Sequence, residues 1–341
     1  MDLNGIELCC PRCRGELGRP SAEEVVCRNC GQRYPVMLGI PDLRVFPDPY
    51  IGFEEERAKV ETLAARYGEF DFEGLVGYYY SITSVVPAQH AQMYRRGLLA
   101  AEARARAWLE NWDATAGPAD TKEEALLEVG CGTAPLLAVA KRFSRRVGVD
   151  IALRWLVVGK KRVEESGLEI SLLAACAEAL PFPDGAFTHV AAESTLEHVT
   201  DQARSLAEMH RVLRPGGRLY LTTPNRFSLG PDPQTGVWCG SFLPAAWTNA
   251  IVKRAGGIPP KRHLVSMREL KGRLREAGFE NIRVSLPGIP EGQKRHFSPA
   301  LRRAVTLYDL ARRLPISREL LFLLGPHFHA AAKKPECPGE S

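Results

Sequence analysis

Three groups of residues in this chain have the types and spacing that chemistry requires. The first is Cys10-Pro-Arg-Cys13 and Cys27-Arg-Asn-Cys30, two Cys-x-x-Cys knuckles separated by 13 residues. Four thiolates so spaced can close a tetrahedron around zinc at about 2.3 Å. Gly15 and Gly31 follow the knuckles, where the backbone must turn its amides toward sulfur. Cys9 is the poorer ligand, since it needs an x3 spacing to Cys13. Four protein ligands leave no open position, so the metal is expected to fold a segment too small to fold alone. The second group is a pair of acids. Glu128 lies within the apolar run Ala125–Val129, and Asp150 ends the run Arg146–Asp150, 22 residues later. Between them Gly130 and Gly132 permit a sharp turn into a helix that tolerates Pro135 in its first turn. Strand, glycine turn and helix make a nucleotide-type site, with the second carboxylate placed to accept ribose hydroxyls. A dinucleotide fingerprint fails, because Pro135 stands where Gly-x-Gly-x-x-Gly needs its last glycine. The third group is Glu197, His198 and Asn225, at the ends of two further strands. His198, titrating near neutrality, is the available base for a hydroxyl or amine nucleophile, and Asn225 could orient an acceptor. The alternative for Glu197 and His198 is that they brace the next helix.

The stretch Glu128-Val-Gly-Cys-Gly-Thr-Ala134 resembles motif I of the class I S-adenosylmethionine-dependent methyltransferases, with Ala134 in place of the last glycine. Ala175–Phe187 resembles the segment that closes over adenine, although Cys176 stands where the family usually has an acid, which leaves adenine recognition to backbone or to Glu178. Arg211-Val-Leu-Arg-Pro-Gly-Gly217 and the run to Asn225 resemble the family's fifth-strand entry. The resemblance is closest to the type 11, ubiquinone-pathway-like branch. It implies cofactor contacts from Glu128, Gly130, Cys131, Gly132, Asp150, Ile151, Cys176, Ala177 and Glu193, with His198, Glu197 and Asn225 on the catalytic side. Residues 1–45, with Arg33–Leu43, resemble the Trm112-like zinc ribbon.

The elements that must position these groups follow in order. Residues 1–45 are expected as the ribbon and 41–52 as a proline- and glycine-rich linker. Residues 53–115 are expected as helices that, in this family, form a lid; Ala88–Trp112 reads as one long helix. Tyr78, Tyr79 and Tyr80 are pocket candidates, with packing against the core as the alternative. A boundary at 116–121 precedes a catalytic domain over 122–334. Its alternating strands (125–129, 147–150, 169–174, 188–192, 218–222, 279–286) and helices (136–143, 152–165, 200–213) predict an α/β Rossmann-like sheet with helices on both faces. Ser266 is a helix cap and Gly278 the stop of the same helix. The seventh strand, antiparallel in this family, is expected over 322–331, with His327 and His329 at surface positions. Insertions at about 224–263 and 287–321 are expected on the substrate side.

With 45 basic and 40 acidic residues the net charge of +5 is too mild to argue nucleic acid by itself. Apolar content of 45% and charged content of 25% are ordinary for a globular chain. No run approaches the roughly 20 apolar residues of a membrane span, and no secretory leader is visible. A cytoplasmic enzyme is therefore expected, with a small-molecule acceptor, an anionic one among the options, and an open oligomeric state. The basic region from Lys253 to Lys334 is read as solvated helix faces, with phosphate, acidic lipid or RNA as the alternative partner. An RNA-base methyltransferase and a scaffold with a vestigial cofactor site are the competing readings.

Overall fold

The computed structural model describes residues 1–83, 88–116, 124–230, 232, 235–255, 257–288, 294 and 299–336. A hairpin of β1 (Asp2–Leu3) and β2 (Ile6–Glu7) leads into a four-stranded sheet of β3 (Leu17–Gly18), β4 (Glu24–Cys27), β5 (Arg33–Met37) and β6 (Ile40–Pro41). Four helices follow: α1 (Phe53–Ala65), α2 (Phe72–Ile82), α3 (Ala88–Leu99) and α4 (Ala101–Ala116). The central unit then alternates β7 (Ala125–Val129), α5 (Pro135–Val139), β8 (Arg145–Asp150), α6 (Leu153–Ser166), β9 (Ser171–Ala174), β10 (Phe187–Glu193), α7 (Gln202–Val212) and β11 (Leu213–Pro224). The chain closes with α8 (Ala245–Arg254), α9 (Met267–Glu276), β12 (Glu280–Ser285), α10 (Pro299–Ala311), α11 (Pro315–Leu324) and β13 (His327–Lys333).

The large sheet has seven strands in the order β12-β13-β11-β10-β7-β8-β9, with β13 antiparallel to both neighbours. β7 is buried along its whole length, as a strand with parallel neighbours and both faces covered must be, which explains why it reads as a continuous apolar run. α1, α2, α4, α5 and α6 pack on one face. α7, α9 and the N-terminal ribbon share a core with the other face, where Leu8, Leu17 and Val25 join Phe182 and Met209. Local chemistry closes several elements: Asp201 caps α7, and Ser266 and Glu269 form a reciprocal capping box on α9.

Several expectations are corrected. Residues 41–52 are no linker: Leu43 N donates to Ala174 O at 2.8 Å, Asp42 bridges to Ala174 at the edge of β9, and Leu43, Arg44 and Asp48 are buried. The single helix expected over 88–112 is two, broken before Ala101. Residues 322–324 finish α11, which starts on Pro315, so the last strand begins only at His327. The helix after the glycine turn ends at Val139 rather than at Phe143. Most of the boundary expected at 116–121, and parts of the second insertion and of the tail, lie outside the described residues.

Candidate active site

The carboxyl ends of β7, β8 and β9 and the segment after β10 border a cleft lined by Gly130, Asp150, Ile151, Ala177, Thr195 and His198 among others. Gly130 has φ +75°, and a Cβ there would lie 2.1 Å from Thr195 Oγ1, so only glycine permits this approach. Ala134, at the position of the family's last glycine, is buried with φ +55°, a left-handed conformation that L-residues resist. Asp150 stands at the tip of β8; its Oδ2 accepts from Gly132 N at 2.7 Å and its Oδ1 from Ala152 N at 2.8 Å. Burial raises its carboxyl to about 6 against those amide contacts. Glu128 is buried with Oε2 unpartnered, and its carboxyl is raised well above the usual range by burial and by the nearby Glu193 and Asp150. Of these three acids only Asp150 lines the cleft; Glu128 lies buried behind its wall and Glu193 faces a second cavity.

The opposite wall was missed by the sequence reading. Phe46, Asp48, Pro49 and Tyr50 line the cleft together with Arg154 and Trp155 of α6. A buried ionic network holds this strap. Arg44 donates to Asp42 at 2.7 and 2.6 Å and to Ile151 O at 2.9 Å, and it also pairs with Glu56. Arg154 joins Asp48 at 3.0 Å to Glu56 at 2.7 Å. The alternation of Asp42, Arg44 and Asp48 within an apolar and proline-rich stretch was the available signal. Among the described residues none of α1 to α4 lines this cleft; Tyr79 instead packs on Trp155 and Tyr78 on Phe70.

Other expected site residues fall elsewhere. Cys131 is buried against Gly148, beneath the turn rather than in the cleft. Cys176 is fully buried, its thiol donating to Phe46 O at 3.5 Å, so only the flanking Ala175 and Ala177 face the cleft. Glu178 does line the cleft, while its Oε1 accepts from Thr200 N at 2.8 Å and Asp201 N at 3.2 Å, bracing the start of α7. Asn225 is buried and saturated: its Nδ2 donates to Leu323 O at 2.7 Å and Gly325 O at 2.9 Å, and its Oδ1 accepts from Phe227 N. It anchors the second insertion and cannot orient an acceptor. Glu197 is buried, accepting from the Thr223 hydroxyl at 3.3 Å, with its carboxyl raised to about 7 by burial; it lines neither this cleft nor the cavity described next. His198 faces the first cleft, and burial lowers its imidazole.

A second cavity lies over the tips of β10, β11 and β13, lined by Glu193, Ser194, Thr222, His327 and His329 and by Arg104, Trp108 and Asn111 of α4. Glu193 therefore faces this cavity and not the first. Ser194 lines both, and its φ of +49° is a strained conformation at the junction. His327 and His329, expected on the surface, sit on one face of β13 and point into the cavity; burial lowers each to about 4, so both are neutral at pH 7.

In the ribbon the sulfurs of Cys10, Cys13, Cys27 and Cys30 lie within 4.8 Å of one another, with Cys10–Cys30 at 3.8 Å and Cys13–Cys27 at 3.5 Å. Zinc–sulfur bonds of about 2.3 Å in a tetrahedron require sulfurs about 3.8 Å apart, so the four fit that ion. The Tyr34 hydroxyl at 3.2 Å from Cys10 Sγ and Asn29 Nδ2 at 3.5 Å from Cys13 Sγ are suited to orient ligating thiolates.

Residues 127–221 match the profile of a methyltransferase domain. Among curated proteins, the ubiquinone/menaquinone biosynthesis C-methyltransferase UbiE of Pectobacterium carotovorum is 32% identical over 178 residues, covering 47% of this chain and 68% of that protein. The demethylmenaquinone methyltransferase of Thermus thermophilus is 39% identical over 99 residues, covering 28% of this chain and 45% of its own length. Among solved structures, a Haemonchus contortus phosphoethanolamine N-methyltransferase aligns with a TM-score of 0.46 at 17% identity, over 69% of this chain and 53% of that one.

Proposed function

Because the chain belongs to the class I S-adenosylmethionine-dependent methyltransferases, in their UbiE-like branch, we propose that it methylates a small-molecule acceptor held in the second cavity. The observation that carries this reading is the meeting of two cavities at Ser194, one built of glycine turn and carboxylates, the other of neutral imidazoles. When bound, S-adenosylmethionine supplies a methyl group already activated on a sulfonium sulfur. Asp150, with both oxygens oriented by amides, is placed to accept the ribose hydroxyls. Gly130 makes room for Thr195 beside it in the cleft wall, and Glu128, with Oε2 unpartnered, lies behind that wall. Ile151 and Ala177 offer apolar contact for adenine, and Phe46 and Tyr50 close the cleft from the strap side.

On the acceptor side, His327 and His329 are the groups able to take a proton, and they replace His198 in that role. Lying on β13 beside Thr222, they face the same space as Ser194 and Glu193. A neutral imidazole accepts a hydrogen bond from a hydroxyl or amine and takes its proton as the nucleophile closes on the methyl carbon. Trp108 offers an aromatic wall, and Arg104 and Asn111 offer donors to an oxygen-bearing acceptor. The UbiE relatives are named as C-methyltransferases, which supports a carbon nucleophile made by such a deprotonation.

Calorimetry with S-adenosylhomocysteine tests the cofactor half: the intact protein should bind, and Asp150→Ala should bind at least about tenfold more weakly. No heat from the intact protein would overturn the reading. For the acceptor half, His327→Gln and His329→Gln should lower turnover while leaving S-adenosylhomocysteine affinity unchanged.

A further inference from the structure

The second insertion ends in two helices whose outer faces are covered by nothing among the described residues. On α10 and the turn after it, Leu307, Leu310 and Leu314 recur at i, i+3 and i+7, and they are 66%, 58% and 52% exposed. On α11, Ile316, Leu320 and Leu323 recur at i, i+4 and i+7, and they are 84%, 53% and 59% exposed. The opposite side of α10 is the packed one: Val305 is buried and the Tyr308 hydroxyl donates to Pro287 O at 2.8 Å. A surface of six large aliphatic side chains in two regular stripes is costly to leave in water.

The same segment is basic. Residues 299–324 hold Arg302, Arg303, Arg312, Arg313 and Arg318 against Asp309 and Glu319, five positive and two negative, a net +3. Arg303 heads the α10 stripe one turn before Leu307, and Arg303, Arg313 and Arg318 are exposed. This charge decides between possible occupants. A second copy docked by two-fold symmetry would set +3 against +3 over a desolvated apolar patch, which like charges oppose. An anionic bilayer surface offers both the hydrocarbon boundary for the leucines and the negative charge for the arginines.

We propose that the α10–α11 pair is a docking surface for anionic lipid, lying in the plane of the interface. It does not span: among the described residues no helix is long and apolar enough to cross a membrane. The surface continues into the first insertion, where Leu229 N donates to Leu324 O at 3.3 Å, and exposed Phe227 and Phe242 lie edge to face beside it. It also borders the second cavity, because α11 runs through Gly325 into His327, and Pro287 and Gly288 line the same opening. A bilayer seated there would present lipid-dissolved molecules to that opening. The docking rests on the surface itself and stands apart from the methyl-transfer reading.

Co-sedimentation of the full chain with sucrose-loaded vesicles tests it, using phosphatidylcholine alone or mixed with phosphatidylglycerol. The protein should sediment with the anionic vesicles, less so as salt rises, and remain in solution with phosphatidylcholine alone. Ile316→Glu combined with Leu320→Glu should weaken anionic-vesicle binding at least about tenfold, as a charge placed in the apolar boundary must. Arg303→Glu with Arg313→Glu should weaken it and flatten its salt dependence. Unchanged S-adenosylhomocysteine binding and circular dichroism show that each variant is folded, and the vesicle result is read only on variants that pass. Wild-type protein left in solution with anionic vesicles overturns the proposal, as does equal sedimentation of the Ile316→Glu/Leu320→Glu variant. Sedimentation equilibrium showing a dimer that this variant dissolves would also overturn it, and would name a second copy as the occupant.

Discussion

Replacing Arg44 by methionine tests whether the strap over the cofactor cleft is held by buried charge. Arg44 is 6% exposed, and its guanidinium side chain meets two carboxylates and a carbonyl. The local set is Asp42, Asp48 and Glu56 against Arg44 and Arg154. Without Arg44, one cation faces three acids, two of which lose their closest partner. Methionine fills much of the volume, so the loss is electrostatic rather than a cavity. Removing one member of a buried ionic group costs about 3–5 kcal/mol. Urea unfolding followed by circular dichroism should show that loss as a lower midpoint at similar slope. Because Arg44 also holds Ile151 O, and Arg154 shares Glu56, the cleft wall at residues 46–50 should loosen. S-adenosylhomocysteine affinity should then fall at least about tenfold, which corresponds to about 1.4 kcal/mol. Adding Glu56→Gln should cost less than the two single losses summed, by about 0.5–3 kcal/mol. A variant within about 1 kcal/mol of wild type and with unchanged affinity would refute the claim that this network positions the strap.

Three other outcomes follow from the same geometry. Protein purified without chelator should carry about one zinc per chain by mass spectrometry; Cys13→Ser should lose it and unfold the ribbon, and a metal-free protein with an intact ribbon would count against the site. His189 is buried with Nε2 unpartnered and is lowered to about 3 by burial, against about 6.5 unfolded. The unfolded chain therefore binds this proton first, and stability is lost as pH falls below about 6.5; His189→Phe should reduce the drop between pH 7 and pH 5 by about 2 kcal/mol in urea titrations. Ala134→Gly should raise stability by about 0.5–1 kcal/mol, since relief of the left-handed strain at φ +55° exceeds the entropy that glycine adds to the unfolded chain; a lower unfolding midpoint would contradict this.

The sequence by itself determined whatever depends on near neighbours along the chain. Two Cys-x-x-Cys knuckles can bring four sulfurs together because each pair spans one tight turn. Gly130 and Gly132 carry their own backbone demand, Asp150 ends an apolar run, and the Ser266–Glu269 box is a contact three residues long. Those features made the glycine turn, the carboxylate at the tip of β8 and the alternation of strands and helices legible. Side-chain direction at the rim was decided only when distant segments met. Asn225 lies three residues from Thr222 in the second cavity, yet Leu323 and Gly325 take its amide, carbonyls about a hundred positions later in the chain. His327 and His329 look like solvent-facing positions of an edge until β12 joins β13 on its outer side and α4 covers the strand tips. Residues 41–52 resemble a linker by composition, because nothing local shows that Arg44 will find Glu56, or Leu43 the edge of β9. Burial is a property of the assembled chain, and it turns a proline-rich stretch into a wall and holds the imidazoles of β13 neutral.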